Sequence, residues 1–282
     1  MSGVLEGVKV LDISYGIAGG MCGRYLADYG ADVIKVEPPD GDPLRMTGPF
    51  FQNDSHPEKS LQFLATNLNK RGITLQLEQE QGRQLFRDLV KHADVVVESF
   101  KPGYLSSLGI GYDDLTQINP AVILTSITPF GQTGPYSQFQ GEELIQYAMS
   151  GIMSISGYTD REPLKHGGNQ AQYEAGLVGA LSTCFALFTQ SMTGEGQQVD
   201  VSITEVVSSS LVETLPQYAF RGVIPGRRLP KGRTFTDLLP AKDGWVSLTA
   251  GGGKANMGDV ADFFEKPELH DARFASPSSR ME

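Results

Sequence analysis

The chain has 282 residues, with 23 Lys+Arg against 33 Asp+Glu and a formal net charge of −10. That balance excludes a nucleic-acid coat, because phosphate binding needs a basic face, but it leaves room for one small basic pocket. Hydrophobic residues make up 40% and charged residues 20%, which excludes wholesale disorder.

The first half alternates strand and helix signals. Residues 8–13 read as a buried strand. A small-residue turn follows over 16–20, and then a short helix over 21–29, with Gly30 placed for a left-handed cap. Residues 31–36 form a second strand, stopped by Pro38 and Pro39. The stretch 40–66 is loop-like. Residues 73–77 alternate apolar and polar, as in a half-buried strand. Residues 80–92 form an amphipathic helix with Leu85, Phe86, Leu89 and Val90 on one face. Two further apolar strands cover 94–98 and 121–127. This alternation predicts an α/β fold, a parallel sheet with helices on both faces.

The second half changes character. Residues 142–154 and 171–190 read as helices, the latter rich in small residues. Glycine inside a helix costs about 1 kcal/mol relative to alanine, so Gly176 and Gly179 imply close packing. A strand is expected over 198–202 and one helix over 205–221. The Pro-, Gly- and Arg-rich stretch 223–233 reads as a linker, with a new unit starting at Trp245. The expected division is a large domain, 1–224, and a linker with the start of a small domain, 225–282. The latter is near the lower limit for independent folding, so it docks on the first or belongs to something longer.

No apolar run approaches the roughly 20 residues that span a bilayer. The start, Met1 to Glu6, lacks the basic and apolar regions of an export signal. Cys22 and Cys184 therefore read as reduced thiols in a cytoplasmic protein. The dinucleotide fingerprint fails, because the positions after Gly16 hold Ala18 and Met21. Walker A and the serine nucleophile elbow are absent, and Ser154 and Ser156 read as helix-end residues. His56, His92, His166 and His270 have no ligand spacing, so no metal is expected. What remains is a small-molecule site at the carboxyl ends of the strands.

Several phrases carry more. They are Leu-Glu-Gly-Val-Lys-Val-Leu-Asp at 5–12, Gly-Ala-Asp-Val-Ile-Lys-Val-Glu at 30–37 and Asn-Leu-Asn-Lys-Arg at 67–71. Further on come Ala-Asp-Val-Val-Val-Glu-Ser-Phe at 93–100 with Pro102-Gly103, Asn119-Pro120, Ala-Met-Ser-Gly at 148–151 and Thr-Gly-Glu-Gly-Gln at 193–197. Asp-Ala-Arg-Phe-Ala at 271–275 closes the set. In this order and spacing the chain resembles the family III CoA-transferases, the CaiB/BaiF group with formyl-CoA transferase and an acyl-CoA racemase.

The resemblance implies a Rossmann-like large domain, a small domain and two interlocked subunits. Members continue past this chain's last residue, so a truncated or split protein is expected. It implies coenzyme A as substrate, no metal, and an acyl-CoA and a small carboxylic acid as partners, with no role for nucleic acid or membrane. The implied reaction starts when a carboxylate attacks the acyl-CoA and gives a mixed anhydride. Released CoA thiolate then forms an enzyme thioester, and an incoming acid collects the CoA.

The sequence departs from the family at the attacking group. Gln172 stands at the position of the family's Asp, and a primary amide is no substitute. Glu174 is the first replacement to consider, although two helical residues turn a side chain by about 200°. Glu142, where the racemase has His, is the next; Glu142 and Glu143 otherwise read as solvated charges at a helix start. The implied coenzyme contacts are Tyr15 and Ile17 in the first turn, Asn69, Lys70 and Arg71 at the strand entry, and Lys101 in place of a common Arg. Ser107 replaces a phosphate-contacting Arg. Gly251 to Gly253 resemble a mobile glycine loop, and Arg227, Arg228, Lys231 and Arg233 form a basic run. Two functions stay open: a transferase with a different carboxylate, or a CoA-binding pseudo-transferase without one. An unrelated oxidoreductase is a distant third.

Overall fold

The computed structural model describes residues 3–227, 238–247 and 257–274. Two units divide the chain: Met1–Ile155 with Leu164–Pro225, and Ser156–Pro163 with Gly226–Glu282.

The first unit is built on six strands: β1 (Lys9–Asp12), β2 (Asp32–Glu37), β3 (Arg71–Thr74), β4 (Val95–Glu98), β5 (Ile123–Thr128) and β6 (Gln198–Ser202). They lie in the order β3-β2-β1-β4-β5-β6, and every neighbouring pair is parallel. The order reverses between β1 and β4, which is where such sheets bind ligands. Helices α1 (Gly16–Asp28), α2 (Leu61–Thr66), α3 (Glu80–Val90), α4 (Tyr104–Ser107), α5 (Tyr112–Ile118), α6 (Glu143–Met149), α7 (Gln170–Thr193), α8 (Ile203–Ser209) and α9 (Thr214–Arg221) complete the unit.

Two cores follow from the period-two alternation of the strands. Val10, Val33, Val95, Val97 and Ile127 pack with Cys22, Leu26 and Ala175 on one face. Leu11, Val36, Val96 and Leu124 pack with Phe86, Val90 and Leu115 on the other. Covering both faces is why β4 and β5 read as continuous apolar runs. Cys22 is buried and Cys184 half-buried, both as free thiols.

Several local expectations shift. The glycine-rich segment 16–20 is the first turn of α1, not a separate turn. Its glycines answer to packing: a Cβ at Gly19 would sit 2.2 Å from Ser14 Cβ. The helix expected over 142–154 stops at Met149, because Gly151 enters the left-handed region at φ 90°. The helix expected over 205–221 is two, α8 and α9. Pro216 lies in the first turn of α9; a continuous helix would set its ring against the carbonyl of Val212. β3 begins two residues before the expected strand and, as the edge, is exposed throughout.

Helix α7 packs across α1 by way of small residues. A Cβ at Gly176 would lie 2.6 Å from Met21 Cβ and 2.7 Å from the Ala18 carbonyl oxygen. Alanine there gains about 1 kcal/mol of helix propensity, but backbone cannot yield as a side chain does. Gly176→Ala is therefore expected to lose a net 1–2 kcal/mol or so, read as a lower urea midpoint at unchanged slope. The opposite face of α7 carries Leu177, Leu181, Phe185, Phe188 and Met192, all exposed. By length and composition α7 could cross a bilayer, which corrects the expectation that no run of that size exists. Its inner face is nonetheless committed to the core through Ala171, Ala175 and Ala180.

The second unit holds a two-stranded antiparallel ribbon, β7 (Leu238–Pro240) with β8 (Trp245–Ser247), and helix α10 (Met257–Phe263). Arg227 donates to the carbonyl of Tyr158 at 3.0 Å, within this unit. Arg228, Lys231, Arg233 and the Gly251–Gly253 triplet lie outside the described residues.

Candidate active site

Strands β1 and β4 are tied together at their carboxyl ends. The Tyr15 N–H donates to Ser99 Oγ at 2.8 Å, and that hydroxyl donates back to the Tyr15 carbonyl at 2.9 Å. The Tyr15 ring meets Phe100 edge-on with centroids 5.1 Å apart. Ile13, Tyr15, Val36, Leu75, Phe100 and Tyr104 line a cleft beside it. Its rim is acidic: Glu78 also lines it and accepts from Tyr104 Oη at 2.6 Å. Burial, with Glu78, Asp42 and Glu37 nearby, pushes the Tyr15 phenol up to about 12. Tyr15 is therefore a neutral donor at physiological pH.

The strand-entry residues expected around a coenzyme are engaged within the chain. Lys70 is buried, and its ammonium donates to Asp12 Oδ2 at 2.6 Å, Gly20 O at 2.7 Å and Asn67 Oδ1 at 2.7 Å. An ammonium has three protons, so none is left here for a phosphate. Lys70 anchors the first turn instead. Arg71 grips Asp32 through two bonds of 2.7 Å and is exposed. Asn69 takes a left-handed backbone, φ 62°, and donates to Asp28 at 2.6 Å. Ile17 does not face a ligand: it is buried in an apolar cluster with Met21, Leu44 and Phe63. Lys101 is exposed and borders a second, polar cleft with Glu98, Ser126 and Gln132. Ser107 donates to the Tyr104 carbonyl within its own turn.

Gln172 lies in the first turn of α7 and is aimed at α6. Its Nε2 donates to Gln146 Oε1 at 2.9 Å, and Gln146 is fully buried. Glu142 precedes α6 with extended backbone and is exposed. Glu174 is half-buried and lies two residues on from Gln172, about 200° around α7. The carboxylate brought to the head of α7 is Glu143. Its Oε1 accepts from the Ala171 N–H at 2.8 Å, and its Oε2 is buried with no hydrogen-bond partner. Burial raises the Glu143 carboxyl above its ordinary range, and Glu174 adds to this; the Ala171 N–H, Lys165 and the Gln172 backbone N–H oppose it. The sequence reading passed over Glu143 in favour of its neighbour. Helical spacing held the clue, since residues 143, 146 and 147 share one face and Gln146 and Tyr147 are both buried.

A second buried carboxyl was also passed over. Glu98 ends β4 and accepts from the Phe100 N–H at 2.6 Å. Burial pushes it up to about 7, with Asp200 adding to the rise and Ser126 and Phe100 opposing it. The fold favours the neutral acid. Its contribution to stability is complete below the ordinary value of 4.5 and is lost as pH rises through about 7. The loss is roughly 3 kcal/mol. Glu98→Gln, which cannot ionise, is expected to remove that slope, measured by urea unfolding at pH 5 and pH 8. Among the described residues no group of three or more His, Cys, Asp or Glu side chains is set to hold a metal ion.

Comparison with known proteins bears on this site. The chain is 39% identical over 242 residues to the succinyl-CoA:(R)-benzylsuccinate CoA-transferase subunit BbsE of Thauera aromatica, covering 86% of this chain and 58% of that protein. It is 36% identical over 283 residues to the succinyl-CoA–D-citramalate CoA-transferase of Chloroflexus aurantiacus, covering 99% and 69%. It is 38% identical over 253 residues to the succinate–glutarate CoA-transferase of Agrobacterium fabrum, covering 88% and 63%. The chain thus spans from just over half to about two thirds of the length of these relatives. The crystal structure of a CaiB/BaiF family protein from Brucella suis superposes with a TM-score of 0.86 at 35% identity, over 99% of this chain and 75% of that one. The profile of CoA-transferase family III matches residues 5–282, and the chain belongs to that family.

Proposed function

We propose that this chain transfers coenzyme A between an acyl-CoA and a small carboxylic acid through an enzyme-bound thioester. The observation that carries the reading is a half-buried carboxylate fixed at the head of α7, in a chain of this family. Succinyl-CoA as donor and a dicarboxylic acid as acceptor are the substrates to try first. The named relatives act on succinyl-CoA with citramalate, or on succinate with glutarate. The coenzyme would enter the cleft beside Tyr15. Arg71 and Lys101 are the exposed cations that could meet its phosphates, Arg71 by exchanging Asp32 for a phosphate. A homodimer is part of the proposal, since the exposed stripe from Leu177 to Met192 is the kind of apolar face subunits cover. So is a cytoplasmic location, where free thiols stay reduced.

The test is exchange of CoA from succinyl-CoA to radiolabelled glutarate. Labelled glutaryl-CoA is expected; its absence across dicarboxylic acids, with the protein folded, removes the reading. A second reading has its own support. Gln172 replaces the family's attacking Asp, and the Thauera relative is named as a subunit. A CoA-binding partner without chemistry of its own would bind CoA in a calorimeter yet show no exchange alone.

A further inference from the structure

Glu143 lies where the transferase reading needs a nucleophile and Gln172 cannot supply one. Three carboxylates compete for the role. Glu142 stands before α6, exposed and with no fixed partner among the described contacts. Glu174 is two residues beyond Gln172, about 200° around α7 from it. Glu143 alone is held against the first turn of α7, by the 2.8 Å bond from the Ala171 N–H to Oε1. That bond fixes the carboxyl group and leaves Oε2 without a hydrogen-bond partner. The Gln172 side-chain amide is drawn off to Gln146, so only the Gln172 backbone N–H faces the Glu143 carboxylate, without closing a hydrogen bond to Oε2. A buried carboxylate oxygen without a partner is costly in a finished core, and it is what an attacking atom looks like before its electrophile arrives.

We propose that Glu143 is the carboxylate that carries CoA, an assignment that rests on the transferase reading above. Glu143 Oε2 attacks the acyl carbon of the acyl-CoA. The carbon–sulfur bond breaks, CoA leaves as the thiolate, and a mixed anhydride joins Glu143 to the acyl group. The thiolate then attacks the Glu143 carbonyl carbon. The donor acid departs as its carboxylate, and a glutamyl-CoA thioester remains. The acceptor carboxylate attacks that thioester and expels the thiolate, which attacks the acceptor's acyl carbon. New acyl-CoA leaves and Glu143 is again a carboxylate. No electron or external proton is needed in the cycle. The positive end of α7 lies beside the oxyanion formed at each addition, through the same Ala171 N–H.

The experiment traps the thioester and removes the nucleophile. The full chain is incubated with succinyl-CoA, quenched with hydroxylamine, digested and analysed by mass spectrometry. In parallel, Glu143→Gln is assayed for exchange into labelled glutarate. Glutamine keeps an acceptor for the Ala171 N–H, so the fold is expected to survive. Exchange is expected to fall roughly 10³-fold or more, and the hydroxamate to sit on Glu143. A hydroxamate on Glu174 or Glu142 overturns this assignment and leaves the transferase reading standing, as does full exchange by Glu143→Gln. Absence of both adduct and exchange in the unaltered chain ends both. Should the variant not fold, the position of the trapped adduct still decides.

Discussion

Lys35→Met is expected to destabilise the first unit by about 3–5 kcal/mol. Lys35 is only 2% exposed. Its ammonium lies 3.7 Å from Asp12 Oδ1 and 3.2 Å from Asp42 Oδ2, and it also donates to the Ser14 carbonyl. Lys70 completes the group through Asp12 Oδ2. Two cations and two anions thus balance in a dry space under the first turn. Burial alone would raise the Asp12 carboxyl; Lys35, Lys70 and the Ser14 hydroxyl outweigh it and hold Asp12 below its ordinary range. The folded value is depressed, so this contribution is present above the ordinary carboxylate value and is lost as pH falls through the lower one. Methionine fills the space of lysine but leaves a net negative charge in the interior. The check is urea unfolding of Lys35→Met and of Lys35→Met with Asp42→Asn. The double variant is expected to recover part of the loss, because it removes the stranded anion as well. Equal losses in the two would show that packing of the lysine stem, not charge balance, is what the site needs.

That network explains why the sequence was legible for the fold and less so for the site. The apolar runs at Val10, Val33, Val95 and Ile123 place the strands because burial on both sheet faces leaves no other reading. Gly30, φ 106°, ends α1 as its position suggests. The charged residues are another matter. A lysine in the family's strand-entry phrase reads as a ligand contact, and in the sequence nothing separates Lys70 from Arg71. Their fates differ because Asp12, 58 positions away, turns inward from β1 and claims Lys70, while Arg71 stays at the exposed edge. Side-chain ion pairs between distant strands have no local signature. The same holds for Glu98, which continues an apolar strand and is buried by β5 and not by its neighbours. Glu143 differs in kind. One residue of helix phase separates it from Glu142, and the phase follows from the face that Glu143 shares with Gln146 and Tyr147, the two residues of α6 that are fully buried.

Adding Gln172→Asp to Glu143→Gln is expected to restore exchange by roughly 10²-fold or more over Glu143→Gln alone, on the scale of regaining a covalent nucleophile. Residue 172 is the third of α7, where a carboxylate meets the positive end of the helix and gains about 0.3–1 kcal/mol. The shorter side chain withdraws from Gln146, whose Oε1 then loses its 2.9 Å donor. Gln146 can answer by rotating its amide to offer N–H groups to the new carboxylate. The 3.4 Å bond from its Nε2 to Gly141 is a weak tie to the present orientation. In the unaltered background the same Gln172→Asp change sets a second negative charge near Glu143, one of whose oxygens is already buried without a partner. Like charges resist joint ionisation, so the single variant is expected to gain little and to need a higher pH for full activity than the parent. The exchange rates of the parent and the three variants separate the readings of this site. Activity that appears in Gln172→Asp from a silent parent identifies a pseudo-transferase whose only missing part was the nucleophile. Activity present in the parent, lost in Glu143→Gln and regained in the double variant assigns the chemistry to Glu143. A double variant that binds CoA, keeps its fold and stays silent would show that the head of α7 does not face the thioester at all.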